Sequence, residues 1–133
     1  MRLINYFSYF ALFALLVLFS ACEDKDIATS VKNETNDTIY VSTLVGKRGW
    51  TPEAVWNFRE VPPDSIYTYV YSESSWYKDD YFLAYIVKQD VVDSITLAMV
   101  MVKGLWSKVY SYTYSEMEKM QFVVRVRSDD FEQ

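Results

Sequence analysis

The sequence predicts a mainly β protein: an antiparallel β-sandwich of the immunoglobulin-like or transthyretin-like kind, with six to seven strands and one or two short helices, behind an apolar N-terminal helix. Three observations carry this. Segments rich in β-branched and aromatic residues recur along the chain with a two-residue period. Short polar, Pro or Gly turns separate them. Aromatic residues make up 18% of the chain, 12 of them tyrosines, and they fall in rows that share one strand face. After the leader about 110 residues remain, enough for one domain to bury roughly 65% of its unfolded surface without disulfides or metal.

The elements follow in order. Residues 29–33 (TSVKN) form a short candidate strand, Glu34-Thr35-Asn36-Asp37 a polar turn, and residues 38–45 (TIYVSTLV) a second strand, the two reading as an opening hairpin. Gly46-Lys47-Arg48-Gly49 is a basic loop. Thr51-Pro52-Glu53-Ala54 has the pattern of a helix start, with Thr51 as N-cap and Pro52 at the first helical position. Pro62-Pro63 stops what precedes it, and residues 65–72 (SIYTYVYS) align Tyr67, Tyr69 and Tyr71 on one face. Residues 81–87 are a further strand. Residues 94–102 (SITLAMVMV) are nearly continuous in apolar character, which predicts a central strand covered on both faces. Residues 106–114 alternate again, with Tyr110, Tyr112 and Tyr114 aligned. Ser115-Glu116-Met117-Glu118 fits a capping box for a turn or two of helix. Residues 122–127 (FVVRVR) close the domain, which is expected to span 29–128 ahead of a polar tail at 129–133.

The first 21 residues differ from all this. Arg2 gives a positive start, and an apolar run from Tyr6 to Ala21 is interrupted only by Ser8 and Ser20. This is the pattern of a secretory signal peptide. Its end, Phe19-Ser20-Ala21-Cys22, resembles the lipobox of bacterial lipoproteins, with Phe where Leu is usual. That resemblance implies cleavage before Cys22, the only cysteine, and acyl chains on its sulfur and new amino group. At about 0.8 kcal/mol per buried methylene, several chains hold firmly where one holds marginally. Cys22 is thus expected to be a membrane anchor, and residues 22–28 a flexible acidic tether. Glu23-Asp24-Lys25-Asp26 resembles the export signal that follows the lipidated cysteine in surface lipoproteins of the Bacteroidota. The stretches VKNETNDTIYVS and YTYSEMEKMQFVVRV are similar to the opening and closing segments of small, uncharacterised lipoproteins of that group. Together these resemblances imply an outer-membrane location facing the cell exterior and a compact β domain.

Asp37-Thr38-Ile39, Asp64-Ser65-Ile66 and Asp93-Ser94-Ile95 each resemble the O-glycosylation acceptor pattern of exported Bacteroidota proteins, which makes Thr38, Ser65 and Ser94 candidate glycan carriers. Each is also what a turn entering a strand would contain. Trp50, Trp56 and Trp76 lie in expected loops and are candidates for stacking on a sugar ring. The tyrosine rows suit the covering of a half-buried sheet better than ligand stacking.

Composition excludes several function classes. With no histidine and one cysteine, thiolate/imidazole pairs, histidine general bases and His/Cys zinc sites are absent. The net charge is −5; loss of Arg2 with the leader makes it −6. Nucleic acid is therefore not an expected partner. The carboxylate pairs Asp79-Asp80 and Asp129-Asp130 lack the ligand alternation of a calcium loop, so no metal or cofactor is expected. The sequence thus points to a lipid-anchored, non-catalytic interaction or structural module of the cell envelope with a protein partner, or alternatively a glycan-binding lipoprotein.

Overall fold

The computed structural model describes residues 25–76 and 80–132. The leader, Cys22, Glu23 and Asp24 lie outside the described residues. Seven strands form two sheets. The strands are β1 Asp26–Asn33, β2 Ile39–Gly46, β3 Arg59–Val61, β4 Ile66–Ser72, β5 Tyr81–Lys88, β6 Lys108–Thr113 and β7 Val123–Val126. Sheet A has the order β4-β1-β7 and sheet B the order β3-β2-β5-β6. Three short α-helices join them: α1 Gln89–Ser94, α2 Leu97–Lys103 and α3 Tyr114–Lys119. The mainly β, sandwich-like class read from the sequence is the class observed. Every pairing is antiparallel except β1 with β7, which run parallel from Ser30↔Val123 to Asn33↔Val126.

β1 starts at Asp26, three residues ahead of the expected strand, so Lys25 and Asp26 adjoin folded structure instead of lying within a free tether. Asp26 pairs with Ser72, and the Lys25 carbonyl accepts from the Glu73 amide at 2.8 Å. β1 and β2 do not form a hairpin; they belong to different sheets. The cause is Asn33, fully buried at the end of β1. Its Nδ2 donates to the carbonyls of Asp37 at 2.8 Å and Val61 at 2.9 Å, while its Oδ1 accepts from the Thr35 amide at 2.9 Å and the Thr35 hydroxyl at 2.6 Å. All four of its hydrogen-bonding positions are used. This Asx-type turn folds the chain from one sheet to the other and pins β3 to the same corner.

Two apolar layers result. Val31, Ile39, Val41, Phe82, Ala84, Ile86, Val124 and Val126 fill the space between the sheets. Leu83, Tyr85 and Val87, with Phe58 and Val100, pack on the other face of sheet B under α1 and α2. β5 is therefore the strand covered on both faces, and Phe82 to Val87 are all buried.

That role had been expected of residues 94–102, which are instead the end of α1, a break at Ile95 and Thr96, and most of α2. The Thr96 hydroxyl caps α2 by accepting from the Met99 amide at 3.3 Å. Gly104, at φ 64°, ends it in a left-handed turn in which the Leu105 amide reaches the Val100 carbonyl at 3.0 Å. These are the cap and the Schellman closure of a short helix. Only Val100 of α2 is buried, and Val102 is 82% exposed.

The helix start expected at Thr51 does not form; a single 3-10 turn occurs later, at Val55–Asn57. The capping box exists two residues earlier than expected. Thr113, not Ser115, is the N-cap of α3, and its hydroxyl accepts from the Glu116 amide at 3.2 Å while the Glu116 carboxylate accepts from the Thr113 amide at 3.2 Å. Among the described residues no helix is long and apolar enough to cross a membrane.

Candidate functional site

β2 has eight residues and β3 three. Their ladder runs only from Ile39↔Val61 to Val41↔Arg59. Pro62 and Pro63 end β3 on one side, and the Gly-, Pro- and Trp-containing segment 46–58 swings away from β2 on the other. Residues 42–46 of β2 thus pair with β5 alone among the described residues. Along this bare edge runs a groove with two hollows that share Thr43, Leu44, Val45 and Asn57.

The first hollow, about 360 Å³, is walled by Trp50, Thr51, Pro52 and Glu53. Trp50 is held by local chemistry. Its amide donates to the Lys47 carbonyl at 3.1 Å across a turn that needs Gly49 at φ 92°. Its carbonyl accepts from the Tyr85 hydroxyl. Its ring lies against Gly46, where any Cβ would collide with it. Trp50 nevertheless remains 55% exposed.

The second hollow, about 230 Å³, is walled by Arg59 and by Tyr67, Tyr69 and Tyr71 of β4. The rings of Tyr69 and Tyr71 meet at 4.7 Å, and the hydroxyls of Tyr71 and Thr43 lie 2.8 Å apart. Burial pushes the phenols of Tyr67 and Tyr71 up, an effect only partly offset by the Thr43 hydrogen bond. Both are therefore neutral hydroxyls at any ordinary pH. Arg59 donates to the Trp56 carbonyl at 2.6 Å. Neither Arg59 nor Glu53 forms a salt bridge among the described residues. The groove can bind by backbone pairing, aromatic contact and one charge of each sign.

The three tryptophans named from the sequence separate. Trp50 lines the groove; Trp56, 78% exposed, lies on the adjacent 3-10 turn outside both hollows. Trp76 is a core residue, not a ligand platform. It is buried, stacks on Phe82 at 6.1 Å and meets the Tyr114 ring edge-on at 5.1 Å. Sequence reasoning missed Thr43, Asn57 and Arg59. The signal available for them was the Gly-, Pro- and Trp-containing segment 46–58, which follows β2 directly and delays its neighbour until Arg59.

Of the candidate glycan carriers, Thr38 and Ser65 directly precede β2 and β4 as expected. Ser94 instead closes α1, its hydroxyl donating to the Asp90 carbonyl at 3.0 Å. All three motifs sit at the Asn33 end of the sandwich. The Asn33 amide donates to the Ser65 carbonyl at 3.0 Å, and Asp37 and Asp93 line one hollow with Lys88. The chain enters the domain at the opposite end, at Lys25. No cluster of three or more potential metal ligands occurs among the described residues. No family model matches the chain, and no curated protein or solved structure is significantly similar to it.

Proposed function

We propose that this protein is a lipid-anchored, non-catalytic interaction module of the outer membrane, facing the cell exterior, whose working surface is the groove along residues 42–46. The carrying observation is the unfinished edge of sheet B: a stretch of β2 with no strand partner but β5 among the described residues, partly open to solvent at Thr43 to Val45 and flanked by Trp50 and the tyrosine wall. Exposed edges invite pairing, and proteins ordinarily blunt them. The polarity of the domain supports the anchored reading. Only two residues, Glu23 and Asp24, lie between Cys22 and Lys25, a reach of about 10 Å, so acyl chains on Cys22 would hold the Lys25 end against the bilayer. The Thr38, Ser65 and Ser94 motifs, at the other end, would then face away from it.

Replacing Cys22 with Ser tests the anchor. Loss of radiolabelled fatty acid, with accumulation of the uncleaved precursor, is the expected result. Normal processing and retention in that variant would overturn it. A second reading, a glycan-binding lipoprotein, is favoured by the exposure of Trp50 beside the hydroxyls of Thr43 and Thr51. Oligosaccharide binding lost on Trp50→Ala would support it.

A further inference from the structure

On the β6 side of sheet B the ladder runs the full length of β6 against β5, whereas on the β3 side it stops halfway along β2. Residues 42–46 extend about 15 Å; Thr43 to Val45 at their centre are partly open to solvent, while Ser42 and Gly46 at the two ends are buried. Along such an edge the free amide and carbonyl groups repeat every second residue, about 6.8 Å apart. An extended polypeptide backbone supplies matching acceptors and donors at that repeat; a sugar's hydroxyls do not. The side chains of an added strand point alternately to the two faces of the sheet. The two hollows meet that alternation, because they share the β2 edge but have different outer walls.

We infer that residues 42–46 take up an extended segment of a partner protein as an added strand of sheet B, its side chains dropping alternately against Trp50 and Pro52 and against the tyrosine wall. This rests on the interaction-module reading and specifies its partner. Charge narrows the segment further. Arg59 lines the same hollow as Tyr67 and Tyr69; its guanidinium donates to the Trp56 and Phe58 carbonyls and has no carboxylate partner among the described residues, so this wall suits Asp, Glu or Asn. The Trp50 and Pro52 wall, which also carries Glu53, suits an apolar side chain and disfavours an acidic one. The partner segment therefore alternates apolar with acidic or amide residues, the pattern of strand addition in which backbone bonds supply affinity and alternate pockets supply selectivity.

The test uses the full chain in detergent and a panel of capped nonapeptides alternating Val, Ile or Phe with Asp or Asn. A matched set is N-methylated at every second residue, in either phase. Hydrogen exchange of the β2 amides is the readout, with a panel of oligosaccharides as a parallel arm. The expected result is slowed exchange confined to residues 42–46 and abolished by N-methylation in one phase only. Binding should weaken about tenfold or more with Tyr69→Ala, an exposed wall residue, and stay unchanged with Trp56→Ala. Oligosaccharide binding at Trp50 without peptide binding would overturn strand addition while leaving the interaction-module reading intact. Protection of residues 42–46 that rises with protein concentration alone would make a second copy the occupant and overturn it too. If neither panel perturbs the groove, both the strand inference and the groove's assignment as the working surface fall. The anchor is judged separately by fatty-acid labelling at Cys22.

Discussion

The hydroxyl of Tyr71 on β4 and that of Thr43 on β2 lie 2.8 Å apart, joining sheet A to sheet B at the rim where the β2 ladder is missing. The pair closes the inner side of the groove and fixes the angle at which the tyrosine wall faces the bare edge. Tyr71→Phe and Thr43→Val are each expected to cost about 0.5–1.5 kcal/mol. A double-mutant cycle read by urea unfolding should show the two losses to be less than additive. Full additivity would mean that the bond does not persist in solution.

Asn33 holds the corner between the sheets with four hydrogen bonds and no exposure. Asn33→Ala leaves the Val61 and Asp37 carbonyls and the Thr35 groups short of partners inside the protein, at a cost of about 3 kcal/mol. Asn33→Asp keeps the acceptor for Thr35 but loses both donors, so it is not expected to rescue stability. Thermal unfolding of the three proteins checks the order.

Alkaline pH should unfold the domain. Burial raises the phenols of Tyr67, Tyr71, Tyr85, Tyr110, Tyr112 and Tyr114 above the ordinary value of 10.0, and at Tyr110 the neighbouring Asp130 adds to the effect. Above that pH the unfolded chain loses protons that the folded chain retains, so stability falls as pH rises. The contribution is fully present below about pH 10 and is lost as pH climbs through the folded-state values. Tyrosinate absorbance and circular dichroism, followed together between pH 9 and 13, should change in one cooperative step. Independent titration of the tyrosines near pH 10 with the fold intact would contradict this.

The tryptophans offer a direct check on burial. Trp76→Ala should cost about 3–5 kcal/mol, because it empties a site packed against Phe82, Tyr114 and Phe122. Trp56→Ala should stay within about 0.5 kcal/mol. Iodide should quench Trp56 and Trp50 far more than Trp76.

Much of the fold was legible in the chain. Period-two alternation located β2, β4, β6 and β7, whose two faces differ in exposure, only partly so in β4, and the apolar run of Tyr81 to Val87 located β5. The failures share a cause: local pattern does not report what lies above a segment. Residues 94–102 have the continuous apolar character of a two-faced strand, but Thr96 and Gly104 cap them as a helix and Val102 is left in solvent. The run YFLAYIV, which does occupy the doubly covered position, differs from it in having no glycine after it to close a helix. Trp76 looked like a loop aromatic because much of its burial comes from Tyr114 and Phe122, which are distant in sequence. The groove was the least legible feature. An unpaired edge is a property of where a neighbouring strand begins, and nothing in segment 46–58 reveals that β3 would start only at Arg59, opposite Val41.

The edge itself can be observed without any ligand, by residue-resolved amide hydrogen exchange on the dilute full-length protein in detergent. Alternate amides within residues 42–46 are expected to exchange far faster than those of Phe82 to Val87, whose strand has a neighbour on either side. Uniform protection across residues 42–46 at the level of β5 would mean that the edge is already covered, and would contradict the proposed working surface.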